Sequence, residues 1–140
     1  MKEKIFIDSD IILDVLLERE IFYDSSAGIL DLGVLKKVEL FTTAVVFANV
    51  FYFIRKKFGI DKSKELLRKL RLFIGILPIE ENIVDITLNS KFNDFEDGLQ
   101  YFASKEHNIK TLITRNGKDY KEKGVIIQTS DEYFKYKEKN

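Results

Sequence analysis

The chain has 140 residues, 45% of them hydrophobic and 33% charged, with 23 basic and 23 acidic side chains in balance. This composition suits one globular domain and excludes a disordered or fibrous chain and a uniformly basic nucleic-acid surface; a local basic patch is still compatible with it. Without cysteine there are no disulfides, thiolate metal sites or cysteine nucleophile, and the single histidine, His107, excludes a multi-histidine metal site.

Ile5-Phe6-Ile7 is a short apolar run that stops at Asp8, which predicts a buried strand carrying a carboxylate to the mouth of a sheet. Burying that charge is costly unless it is paired, hydrogen-bonded or metal-bound, so other groups must converge on it. Asp8 and Asp10 also interrupt the apolar stretch that a signal peptide would need, and no run approaches the ~18 apolar residues of a membrane span. A cytoplasmic location is expected.

Ile11, Ile12, Val15 and Leu16 follow with helical spacing, and after the polar break Glu18-Arg19-Glu20 a second helix is expected over about residues 23–37. Glu39-Leu40-Phe41-Thr42-Thr43 reads as strand two. Over residues 44–58, Phe47, Val50, Phe51, Ile54 and Phe58 form a helical stripe, and Val45, Val46 and Phe53 add apolar surface that a subunit interface would cover. Gly59 ends that helix, and Asp61 can cap a basic amphipathic one over residues 62–73. Ile76-Leu77-Pro78-Ile79 is expected as strand three and residues 80–88 as a short helix. The segment 91–98 opens a helix that runs to about His107, with Phe95, Leu99, Phe102 and Ala103 expected on its apolar side. Thr111-Leu112-Ile113-Thr114 and Val125-Ile126-Ile127-Gln128 complete the strands, and Ser130 or Asp131 can cap a last helical turn. The alternation predicts a three-layer α/β/α sandwich around a parallel sheet of four to five strands.

In such sheets ligands bind outside the carboxyl ends of the strands. Asp8 arrives there from strand one, Asp94 and Asp97 share one side of a helix at i, i+3, and Asn116 and Asp119 follow strand four. Clustered carboxylates repel one another unless one is protonated or a cation binds, and all-oxygen ligands suit Mg²⁺ or Mn²⁺. Such an ion supports phosphodiester hydrolysis. The same residues also have structural uses: Asp94 as a helix cap, Asp97 beside a helix dipole, and Asp119 in a turn.

Three segments resemble the signature regions of PIN domains, most closely the VapC-like toxin ribonucleases: Ile5-Phe6-Ile7-Asp8-Ser9-Asp10, Asp94-Phe95-Glu96-Asp97-Gly98-Leu99-Gln100 and Thr114-Arg115-Asn116-Gly117-Lys118-Asp119-Tyr120. The resemblance implies a PIN-like fold and a metal-dependent endoribonuclease cutting single-stranded RNA, often a homodimer restrained by a cognate antitoxin. It makes Asp8 the family's first acid and Asp97 its third. The second acid falls on Asn49 and the fourth on Asn116, with Asp119 an additional acid nearby, while Ser9 and Thr114 stand where the family holds its acids and metal waters. Because asparagine supplies no charge, the residues favour a single Mg²⁺ on Asp8 and Asp97, with Asp94 or Asp119, over a two-metal site.

Arg55, Lys56, Arg68 and Arg115 are candidates for contact with RNA, the first three on basic helix faces beside Tyr52, which is available for stacking; a merely solvated face is the alternative. A rival from another class is a catalytically inactive PIN module that binds RNA or a protein partner. Asp8-Ser9-Asp10 also resembles the start of haloacid-dehalogenase-type phosphatases, but Ile11-Ile12 stands where that family continues with Gly-Thr.

Overall fold

The computed structural model describes residues 1–117, 120 and 124–139. The candidate Asp119 lies outside the described residues. Strands β1 (Glu3–Ile7), β2 (Val38–Thr43), β3 (Ile74–Leu77), β4 (Thr111–Ile113) and β5 (Ile126–Gln128) form one parallel sheet in the order β3-β2-β1-β4-β5. Helices α1 (Ser9–Leu16), α2 (Tyr23–Val34), α3 (Ala44–Arg71), α4 (Glu81–Leu88), α5 (Phe95–Glu106) and α6 (Ser130–Lys139) flank it as the outer layers of an α/β/α sandwich. α1 packs against α2 and α3, α2 against α6, and α4 against α5.

β1 is the central strand, with Ile5 opposite Leu40 on one side and Thr111 on the other. Ile5, Phe6 and Ile7 are fully buried, as a parallel strand covered on both faces requires. Burying each such side chain is worth about 1.5–3 kcal/mol, so whatever continues from the end of β1 starts from a fixed point. From β1 the chain steps outward through β2 and β3, then returns to the opposite side of β1 as β4. That reversal opens a crevice between the carboxyl ends of β1 and β4. The pairing extends to its floor, where Asp8 N–H donates to Ile113 O at 3.0 Å and Thr114 N–H to Gln128 O at 2.9 Å.

Gly59, with φ 79° and ψ 172°, breaks α3 where the sequence predicts a helix end; this backbone suits a residue without a Cβ. Other boundaries differ from expectation. α2 stops at Val34, and Lys36 turns left-handed at φ 59°. β3 begins two residues earlier than its apolar tetrapeptide suggests, which leaves Pro78, lacking an N–H for the ladder, beyond its end. α5 starts at Phe95 because Asp94 caps it, and its expected apolar side is rotated: Phe95 is exposed while Tyr101 is fully buried. The last helical turn is a ten-residue helix, α6, anchored by buried Tyr133.

Candidate functional site

Asp8 leaves β1 in extended backbone as the N-cap of α1, which turns its carboxylate over the strand ends. It is 5% exposed. Oδ1 accepts from Ser9 N–H at 2.7 Å and from Gln100 Nε2 at 3.2 Å, and Oδ2 accepts from Thr114 Oγ1 at 2.8 Å. Asp97 enters from the first turn of α5, where the helix dipole favours a carboxylate, and is 8% exposed.

The Tyr120 hydroxyl lies 3.3 Å from Asp97 Oδ1 and 3.2 Å from Gln100 Oε1. Its single proton is therefore shared between two acceptors. Gln100 donates to Asp8 and accepts from Tyr120, so one amide and one phenol link the two acids. Burial, then the Asp8 and Asp97 carboxylates, push the Tyr120 phenol far above its ordinary range, so it keeps the proton it donates. Asp10 stands beside this set: Oδ2 accepts from Arg115 N–H at 3.0 Å, whereas buried Oδ1 has no hydrogen-bond partner. Burial first, and then the charge of Asp8, raise its carboxyl to about 6.

These oxygens suit a hard divalent cation. Among the described residues no group of three acidic or histidine side chains is arranged to hold an ion unaided. Mg²⁺ does not need one, because it retains several waters and takes one or two carboxylates together with substrate phosphate. Two buried carboxylates beside an orphaned carboxylate oxygen fit that requirement.

The structure thus brings Asp8, Asp97, Ser9 and Thr114 together. Asp94 sits at the rim and uses Oδ1 to accept from Asp97 N–H at 3.0 Å, the capping role that its position also allowed. Asn49 donates to Glu96 Oε2 at 2.8 Å, tying α3 to the head of α5. Asn116 is exposed and gives its main-chain N–H to Thr114 Oγ1 at 3.1 Å. Arg55, Lys56 and Arg68 are exposed on α3, with the Arg55 guanidinium 4.8 Å from the centre of the Tyr52 ring. Arg115, the fourth candidate for RNA contact, turns its guanidinium to Asp14 at 2.9 Å, because a fully buried carboxylate there needs a countercharge.

Gln100 and Tyr120 belong to the sequence motifs, which by themselves assign neither a role. Gln100 could have been found by helical spacing, since Asp97, Gln100 and Ser104 at i, i+3, i+7 form a buried polar face of α5. Tyr120 has no such local signal. Clefts of about 710 and 670 Å³ lie at the opposite, amino ends of the strands, around Lys4 and Thr111 and around Leu40 and Leu72.

Relatives agree with this architecture. Ribonuclease VapC1 of Aquifex aeolicus is 28% identical, over 94% of this chain and 93% of the relative. The VapBC2 complex of Rickettsia felis bound to a promoter DNA fragment superposes with a TM-score of 0.68 at 17% identity, covering 90% of this chain and 98% of the other. FitAcB of Neisseria gonorrhoeae gives 0.66 at 19% identity, covering 90% and 97%. The PIN domain family model matches residues 4–118, from β1 to the loop that carries Thr114 and Asn116, and the chain belongs to the PIN domain family.

Proposed function

We propose that the protein is a divalent-metal-dependent endoribonuclease that cleaves single-stranded RNA and serves as the toxin of a toxin–antitoxin pair. The observation that carries this reading is the pair of buried carboxylates, Asp8 and Asp97, linked through Gln100 and Tyr120 beside the unpartnered Asp10 oxygen. The name of the Aquifex relative, a ribonuclease, supports the reaction class. The VapBC2 neighbour and the neighbour titled a toxin–antitoxin complex from Klebsiella pneumoniae support an antitoxin partner.

Asp8 and Asp97 would hold Mg²⁺ or Mn²⁺. When bound, such an ion supplies a Lewis acid that activates water and offsets charge on the phosphoryl group. Ser9 N–H, Gln100 and Thr114 fix the Asp8 carboxylate, and Tyr120 directs its proton at Asp97 and Gln100, so neither acid has to reorganise when substrate arrives. Arg55, Lys56 and Arg68 offer charge to an RNA backbone and Tyr52 a stacking face. Phe53, 58% exposed on α3, fits a homodimer contact. No helix among the described residues is long and apolar enough to cross a membrane, and we place the protein in the cytoplasm with its RNA substrate.

Titrating Mn²⁺ and Mg²⁺ into wild type and Asp8→Asn, with a labelled single-stranded RNA as reporter, tests the reading. Cleavage that needs metal and vanishes in the variant is the expected result. Asn49 and Asn116 favour a second reading, a PIN module that binds RNA or a protein without cutting. Wild-type protein that is folded and free of inhibitor, binds RNA and never cleaves it would establish that one instead.

A further inference from the structure

Asp14, on α1 one helical turn beyond Asp10, is fully buried and lies outside the acid pocket. Its Oδ1 receives Arg115 Nη2 at 2.9 Å and lies 3.6 Å from Arg19 Nη1. Oδ2 accepts from Ser26 Oγ on α2 at 3.0 Å, and that hydroxyl is 3.4 Å from Ser130 Oγ on α6. The Arg115 guanidinium also lies 3.9 Å from the centre of the Phe22 ring, which holds its plane. A single carboxylate therefore gathers α1, α2, α6 and the loop after β4.

What this loop carries gives the network its consequence. Arg115 is attached to α1 twice, by its side chain at Asp14 and by its main-chain N–H at Asp10 Oδ2, 3.0 Å away. Between these attachments and β4 stands Thr114, whose Oγ1 accepts from Asn116 N–H at 3.1 Å. That contact occupies a lone pair and leaves the Thr114 proton for Asp8 Oδ2 at 2.8 Å. A shift of the 114–116 backbone would turn the hydroxyl and release one side of the Asp8 carboxylate. Buried ion pairs are a poor source of net stability, whereas a single charge-assisted hydrogen bond from a planar guanidinium seated against Phe22 constrains geometry.

We infer that Asp14 is a positioning residue for the acid pocket, acting through Arg115 on the Thr114–Asp8 hydrogen bond. Its kinetic consequence rests on the ribonuclease reading; its structural consequence does not. The test uses the full chain as wild type, Asp14→Asn, Arg115→Lys and the double variant. Amide hydrogen exchange at Arg115 and Asn116 is expected to accelerate more than tenfold in each variant while β1 amides keep their protection, which separates a local release from global unfolding. For RNA cleavage, kcat is expected to fall roughly 10- to 100-fold with RNA affinity unchanged, as for other outer supporting partners, and the double variant to lose no more than the worse single one.

If Asp14→Asn does not fold, Arg115→Lys carries the same test, because it keeps the charge and removes the planar guanidinium that reaches Asp14 and lies over Phe22. Unchanged exchange at Arg115 and Asn116 would overturn the inference. So would an Arg115→Lys protein with intact kcat and weakened RNA binding, the signature of a direct RNA contact. A wild-type protein that cuts no RNA would refute the ribonuclease reading and leave the exchange measurement to decide the role of Asp14.

Discussion

An acid marks each end of β1, Glu3 as its first residue and Asp8 just past its last, and a threonine bonds each of them, Thr111 at the start of β4 and Thr114 just past its end. At the amino end, Glu3 accepts from Thr111 Oγ1 at 3.3 Å and from the Tyr133 hydroxyl at 2.8 Å, and pairs with Lys137 at 3.2 Å. At the carboxyl end, Asp8 accepts from Thr114, and a second tyrosine, Tyr120, reaches it through Gln100. The inventories match except for charge and water. The Glu3 side chain is 32% exposed and has a lysine, whereas Asp8 is 5% exposed and, among the described residues, has no cationic side chain bonded to it, only another carboxylate, Asp10, nearby. The charge at the amino end has a countercharge in Lys137, whereas Asp8 at the carboxyl end is met only by neutral donors, Ser9 N–H, Gln100 and Thr114.

Replacing each acid by its amide should separate the two ends most. Asp8→Asn is expected to lower RNA cleavage by more than the roughly 100-fold that loss of an outer supporting partner causes, and to leave the melting temperature at or above that of wild type, because it removes a charge facing Asp10. Glu3→Gln should cleave as wild type does. Equal losses in the two variants would end the distinction.

Metal should show the same asymmetry without any turnover. At about 100 times its dissociation constant, Mg²⁺ is expected to raise the unfolding free energy of wild type and Glu3→Gln by about 2.7 kcal/mol and to do much less for Asp8→Asn, as measured by chemical denaturation with and without the ion.

The two tyrosines allow a finer contrast. Tyr120→Phe withdraws a proton from two buried acceptors and should cost about 1–3 kcal/mol, while Tyr133→Phe leaves Glu3 with Thr111 and Lys137 and should cost about 0.5–1.5 kcal/mol. Lys137→Ala, which breaks a partly exposed ion pair, is expected to cost no more than about 1 kcal/mol and to leave cleavage untouched. Denaturant midpoints rank all three.

Much of this was legible along the chain, and for local reasons. The apolar run before Asp8 identifies a buried strand because a parallel strand is covered on both faces, and the stripe from Phe47 to Phe58 identifies a helix because 3.6 residues make a turn. Gly59 announces a break that only a residue without a Cβ adopts easily. Boundaries fared less well: α5 starts at Phe95 because the Asp94 carboxylate accepts from Asp97 N–H, a competition between cap and helix that spacing alone does not settle.

The sequence by itself determined the alternation of strands and helices and set Asp8 at the end of a strand and Asp97 at the head of a helix, since these follow from periodicities of a few residues. Only the tertiary structure decided how those acids are held. Gln100 meets Asp8 across 92 positions, Arg115 meets Asp14 across 101 and Thr114 meets Asp8 across 106. No repeat within the chain encodes such pairs. They exist because β4 returns to the side of β1 opposite β2, and because a buried carboxylate must find its donors wherever the fold brings them within reach.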